Sequence, residues 1–352
     1  MRVALIGDKF VETHSGVRRY GYELLRGLRR KGYLVKAFPR GRVIETVNIP
    51  YKLLLHNLLL LGRVSKWKFD ILHATAPVDG VFMMLRWEVK KVVTYHDLLP
   101  LLGKNTGTKF RVKAVAPFFY RVGKYVNKII AVSTQTKDEV INYLKVPSEK
   151  VTVINLGVDE RFKPLKKKED RDHYVIGYLG AFTPRKRVNL LIYGFYILRK
   201  LYPGLKAKLV ICGEKKWDYP KLIRLAEFLG LSRYIEFKGR IPEEEIVATY
   251  NSFDVFVWPS EWEGFGLPIL EAQRCGVPVI IMKDAHIPDE VSKYCIKASS
   301  SKDLAYKIYE LLTNVGLRRD VIKKAMDYSK RFTWERTIEE TIKVYEEVVH
   351  EQ

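Results

Sequence analysis

The feature that most constrains the fold is a double alternation of short apolar runs with longer amphipathic ones. Strand-like segments at 2–6, 34–38, 71–74, 92–95, 128–132 and 151–155 are separated by helix-like segments at 17–30, 49–61, 109–126 and 135–144. In the first of these helices Tyr20, Leu24, Leu25 and Leu28 fall on one face, the spacing of a helix with one buried side. Strands that take turns with helices are joined by crossovers and so lie parallel. The pattern lapses at 159–172, where Lys166-Lys167-Lys168 and Glu169-Asp170-Arg171-Asp172 leave little apolar content; this reads as an exposed linker. It then resumes with strands at 175–179, 208–211, 235–238, 255–258 and 278–281. The matching helices are at 188–202, 219–229, 243–253, 269–275, 301–314, 317–331 and 334–349. The expected class is α/β, with Rossmann-like doubly wound units at 1–160 and 174–332, a linker at 161–173 and a separate last helix at 333–352.

A chain of 352 residues that is 47% hydrophobic can fill two cores. Its 3 cysteines, Cys212, Cys275 and Cys295, are widely spaced and lie in or beside apolar runs. They read as buried thiols of a protein in a reducing cytosol. The first residues begin a strand rather than a signal peptide, and no apolar run is long enough to span a bilayer. The net charge of +22 favours an anionic partner: a phosphate ligand, a nucleic acid or an acidic membrane surface.

The choice among these comes from residues 259–271, Pro-Ser-Glu-Trp-Glu-Gly-Phe-Gly-Leu-Pro-Ile-Leu-Glu. They follow the apolar run 254–258 and lead into a short helix stopped by Gly276. The glycines thus sit in a strand-to-helix turn, where backbone can approach a ligand and free N–H groups favour an anion. Glu263 and Glu271 flank that turn. N–H donors and carboxylates together suit a ligand with both phosphates and hydroxyls, and a nucleotide sugar has both. The carboxylates disfavour nucleic acid, and no nucleic-acid-binding motif is present.

This stretch resembles the signature of the retaining GT-B glycosyltransferases, glycosyltransferase family 4 or group 1. That signature is a Glu, seven residues and a second Glu, with Gly-Phe-Gly-Leu-Pro between. Glu263, Gly264, Phe265, Gly266, Leu267, Pro268 and Glu271 match it, as do the flanks Pro259-Ser260 and Gly276-Val277-Pro278. The resemblance implies two domains facing across a cleft, with the last helix crossing back to the first domain; Thr333-Trp334-Glu335 fits that crossing. It implies transfer of a sugar from a UDP- or GDP-sugar to a hydroxyl of a saccharide or lipid-linked acceptor. It also implies retention of configuration by front-face attack, with the leaving phosphate taking the acceptor's proton. No Asp-x-Asp motif stands beside the site, so neither metal nor cofactor is expected.

The resemblance also distributes roles. Glu263 would hold sugar hydroxyls and Glu271 the ribose. Lys186 matches a lysine that holds the diphosphate. Many relatives have an arginine directly after the preceding glycine; here that position is Ala181, and Arg185 is the candidate replacement. Three cations at 185–187 beside a helix start want an anion in any case. His96, at a strand end, matches a position near the transferred sugar, with Asp97 either orienting it or capping the next turn. Gly16, opening the first helix after His14-Ser15, suits phosphate approach. Gly213, Arg240 and Ile241 would line the base and ribose.

Two other readings stay open. Ala181 leaves room for a non-catalytic sugar-nucleotide sensor. The basic, aromatic stretches 51–68 and 109–128 suit either core helices with solvated basic faces or contact with an anionic membrane, peripheral at its inner face.

Overall fold

The computed structural model describes residues 1–11, 16–40, 49–86, 88–102, 116–165, 171–215 and 218–351, with backbone alone at 49–54. The chain divides into two compact units: one runs to Gly157 and resumes at Phe332, and the other spans Val158–Arg331.

The first unit begins with β1 (Arg2–Gly7), α1 (Gly16–Arg30), β2 (Leu34–Pro39), α2 (Ile49–Val64), β3 (Ile71–Ala74) and β4 (Lys90–Tyr95). There follow α3 (Leu99–Leu102), β5 (Lys128–Ala131), α4 (Thr134–Leu144) and β6 (Val151–Val153). The strands pair in the order β2-β1-β3-β4-β5-β6, all parallel. Val3 to Ile6, Ile71, Leu72, Val92, Val93, Ile129 and Ile130 are buried, as expected of a parallel sheet covered on both faces. Two 3₁₀ turns after β3, Pro77–Asp79 and Val81–Leu85, carry no sequence periodicity and were not expected. The expected helix at 109–126 lies outside the described residues up to 115. Residues 116–120 are helical, and Arg121–Tyr125 tightens into a 3₁₀ turn.

The second unit carries β7 (Tyr174–Leu179), α5 (Val188–Leu201), β8 (Ala207–Cys212), α6 (Tyr219–Phe228), β9 (Ile235–Lys238), α7 (Ile246–Asn251) and β10 (Val255–Trp258). It continues with α8 (Leu267–Arg274), β11 (Val279–Met282), α9 (Asp289–Ser292), β12 (Ile296–Ala298), α10 (Ser301–Thr313) and α11 (Val315–Ser329). Its parallel sheet runs β12-β11-β10-β7-β8-β9. From β7 the chain winds outward through β8 and β9, then returns to β10 and winds the other way. The β7/β10 pair is therefore the topological switch point, where doubly wound sheets open a crevice beyond the strands' carboxyl ends. The expected helix 243–253 is split: the acidic run Glu243–Glu245 forms a 3₁₀ turn and the α-helix starts at Ile246. Cys212 and Cys275 are buried free thiols, and Cys295 is half-buried.

The last helix, α12 (Trp334–His350), belongs to the first unit and packs on α1. Lys31 pairs with Glu335 and Glu339, at 2.5 and 3.1 Å. Thr337 Oγ1 donates to the Asn155 carbonyl at 2.8 Å. Tyr345 meets His73 Nδ1 at 2.6 Å, and burial holds the His73 ring neutral, its pKa lowered to about 3. Gly157 lies against the backbone of this helix start. A Cβ there would sit 2.2 Å from the Trp334 nitrogen and 2.5 Å from the Thr333 carbonyl carbon, and backbone cannot swing aside as a side chain can. Gly157→Ala should therefore cost about 1–3 kcal/mol, read as a lower urea midpoint; an unchanged midpoint would show that α12 shifts freely.

Candidate active site

Two loops meet at the carboxyl ends of β7 and β10. The β10 loop reaches α8 through Gly266, whose φ of +112° lies in the left-handed region. A side chain there would be strained, so the turn needs glycine. Behind it Phe265 is buried. Within α8, Glu271 Oε2 accepts a hydrogen bond from the buried Tyr250 hydroxyl at 2.8 Å.

The β7 loop forms the 3₁₀ turn Pro184–Lys186 and then Arg187, whose φ of +46° is unusual for a residue with a side chain. Such a conformation costs of order 1 kcal/mol and persists only where its surroundings fix it. Here they do: Arg187 Nε donates to the Pro259 carbonyl at 3.0 Å, and its guanidinium forks onto Asp284 at 2.7 and 3.1 Å. The backbone also joins the loops, Glu261 N–H donating to the Arg185 carbonyl at 2.9 Å.

At the junction stands a buried cluster. Lys186 Nζ is 2.5 Å from Glu263 Oε1 and Arg185 Nη1 is 3.2 Å from it. Trp258 Nε1–H donates to the same oxygen at 3.1 Å, and Lys186 Nζ lies 4.1 Å from the Trp258 ring centroid. Lys186 and Glu263 are only 8% and 9% exposed, so each charge depends on the other. Burial works against ionisation of Glu263, but Lys186 and Arg185, with hydrogen bonds from Lys186 and Ser260, outweigh it. Its pKa falls from 4.5 to about 2. Arg185 also bonds the Trp262 carbonyl. Ala181 is exposed, and its carbonyl accepts the Tyr178 hydroxyl at 2.9 Å.

The structure thus brings together Arg185, Lys186 and Glu263, beside the turn Gly264, Phe265, Gly266 and Leu267. Gly213 follows β8, its N–H donating to the Gly239 carbonyl at 3.1 Å. Arg240, exposed, and Ile241, half-buried, follow β9. Residues 284–286 were missed by sequence reasoning. They brace the turn through Arg187–Asp284 and through paired bonds, Glu263 N–H to the His286 carbonyl and His286 N–H to the Glu261 carbonyl, at 2.9 and 2.8 Å. Asp284 is 97 residues from Arg187, and partners so far apart leave no local pattern.

In the first unit, His96 follows β4. Its Nε2 is 3.0 Å from the Thr75 carbonyl, so that nitrogen carries the proton. Burial lowers its pKa to about 4 against that hydrogen bond, and the ring is neutral at pH 7. Tyr20 packs edge-on against it, centroids 5.1 Å apart. Asp97 Oδ1 accepts the Leu99 N–H at 3.1 Å, capping α3. Gly16 opens α1; His14 and Ser15 lie outside the described residues.

Two Rossmann-like units of this topology, with a glycine turn and a buried cation–carboxylate cluster at the switch point of the second, have the architecture of the GT-B glycosyltransferases. The comparisons narrow this further. The model for "Glycosyl transferases group 1" matches residues 159–328, and that for "Glycosyltransferase Family 4" matches 14–162. The chain belongs to this family and is a glycosyltransferase. It is 26% identical to O-antigen chain mannosyltransferase B of Escherichia coli over 73% of this chain and 70% of that one. It is 28% identical to the serotype-specific mannosyltransferase WbdA of Escherichia coli over 76% of this chain, but spans only 34% of WbdA. In fold it is similar to sucrose-phosphate synthase from Thermosynechococcus elongatus, with a TM-score of 0.82 and 18% identity over 99% of this chain and 98% of that one. It is also similar to Anabaena Alr3699/HepE in complex with UDP-glucose, with a TM-score of 0.77 and 18% identity over 99% and 100%.

Proposed function

We propose that the chain transfers a sugar from a nucleoside-diphosphate sugar to a hydroxyl of a saccharide or lipid-linked acceptor, with retention of configuration. The observation that carries this reading is the pair of cations on Glu263 beside the Gly266 turn, Lys186 buried and Arg185 half-buried. A leaving diphosphate gathers negative charge. Cations already fixed at the switch point, with N–H groups at the start of α8, stabilise that charge without reorganising. Arg185 then supplies the charge that Ala181 lacks.

Glu263 is ill-suited as nucleophile or base, because a carboxylate with a pKa near 2 and its oxygen held by two cations and an indole N–H is weakly basic. That favours front-face attack: the acceptor oxygen bonds the anomeric carbon as the carbon–phosphate-oxygen bond breaks, and the leaving phosphate oxygen takes the acceptor's proton. The neutral His96 contributes as a hydrogen-bonding group to the sugar rather than as a cation. Similarity to proteins named as mannosyltransferases, and in fold to one solved with UDP-glucose, supports a sugar-nucleotide donor.

The test is donor turnover: incubation with UDP- and GDP-sugars should release the nucleoside diphosphate, accelerated by an acceptor whose product keeps the donor's anomeric configuration. Binding without turnover would favour the sensor reading, and an inverted product would end the front-face mechanism. Glu271→Ala should weaken nucleotide binding roughly tenfold, about 1.4 kcal/mol, measured by titration calorimetry with UDP and GDP. Unchanged affinity would remove Glu271 from the site.

A further inference from the structure

We propose that the outer face of α2 and the turn beyond it dock on an anionic lipid bilayer. This is independent of the donor chemistry, so its failure would leave that reading standing. On α2, His56, Asn57, Leu60 and Val64 are buried against the unit, while Leu55, Leu58 and Leu59 are 40%, 55% and 52% exposed. Positions 55, 58, 59, 62 and 63 recur at helical spacing, so the leucine stripe continues into Gly62 and Arg63, with Lys66 in the turn beyond, all exposed. Trp67, 52% exposed, stands just after the helix, its N–H on the Val64 carbonyl and Lys36 over its ring. Single exposed leucines are ordinary; a contiguous stripe of them marks a binding surface.

The neighbouring segments repeat the chemistry. α2 packs against the turn Val81–Leu85, and that turn packs against Arg121–Tyr125. These regions expose Leu85, Phe118 and Tyr125, with Arg121 and Lys124. Between Glu45 and Asp70 there are four basic residues and no acidic one, and 116–128 likewise has none. The nearby Glu88 is paired with Arg86. Leucines to enter the acyl boundary, aromatics at the headgroup level and cations for anionic lipid are the parts of an interfacial surface. A protein partner matched to the leucines alone would not require uniformly positive flanks.

The test uses the full chain and vesicles of phosphatidylcholine with or without phosphatidylglycerol, at low salt. Binding should be at least roughly tenfold tighter to the anionic vesicles. Leu58→Ser/Leu59→Ser should lower it roughly tenfold or more, with thermal midpoint unchanged because both side chains are half outside already. If that variant unfolds, Arg63→Glu/Lys66→Glu carries the test, with a similar loss expected. The proposal is overturned if the wild type ignores anionic vesicles, or if the variants bind like wild type. It is also overturned if the leucine variant instead abolishes self-association in sedimentation equilibrium, which would give this face to a second copy of the chain.

Discussion

Lys186→Met should lower kcat by about 100-fold, close to 3 kcal/mol of transition-state stabilisation, while donor KM changes several-fold at most. The asymmetry follows from where the ammonium sits. Lys186 is fixed against Glu263 at 2.5 Å and over Trp258, so it is positioned before any charge develops. Its interaction with a diphosphate grows as the glycosidic bond breaks, and that growth appears in kcat rather than KM. Arg185, 3.2 Å from the same carboxylate oxygen, remains in the variant and preserves ground-state attraction. Methionine keeps the aliphatic length of lysine against the Trp258 ring, so the loop keeps its packing. Steady-state kinetics on both chains decide the matter. A Lys186→Met enzyme with wild-type kcat would show that the cluster only holds two loops together.

The same cluster shows how far sequence reaches. Each end of it was legible: Gly264 to Pro268 by its turn chemistry and resemblance, Arg185-Lys186-Arg187 as three cations beside a helix start. The bond between them was not, because Lys186 and Glu263 are 77 residues apart and meet only through the adjacency of β7 and β10. Sequence assigned Glu263 to sugar hydroxyls; in the structure its carboxylate pairs with Lys186 and Arg185. Arg187 read as one more cation for an anion, yet its guanidinium is spent on Asp284 and the Pro259 carbonyl, fixing a left-handed backbone no pattern announces. The cap that Asp97 places on α3 is likewise a contact over two residues that sequence can list but not choose. Long periodic elements such as α1 and α12 were clear, because burial of one face writes itself into spacing. Elements of three or four residues, such as α9 and β12, carry too few positions for a period, and sheet neighbours define them instead.

Glu263→Gln should be the most destabilising of the site substitutions, and its cost should depend on pH in a way a packing defect would not. At neutral pH the change leaves the Lys186 ammonium buried with a neutral partner, and breaking such a pair from one side costs about 3–5 kcal/mol. For a unit of this size that is a fall in Tm of roughly 10 °C. The ionised carboxylate is favoured in the folded chain, whose pKa for Glu263 is lowered from 4.5 to about 2. Its contribution is therefore complete above pH 4.5 and is lost as pH falls toward 2, because the unfolded chain takes up the proton first. The gap in urea midpoint between wild type and variant should be widest at pH 6–7, begin to close below pH 4.5 and be smallest near pH 2. A gap constant over that range would mean that Glu263 contributes through shape and hydrogen bonding alone. A variant as stable as wild type at pH 7 would mean that Lys186 reaches solvent once its partner is neutral, and would remove the pre-charged cradle on which the transfer mechanism rests.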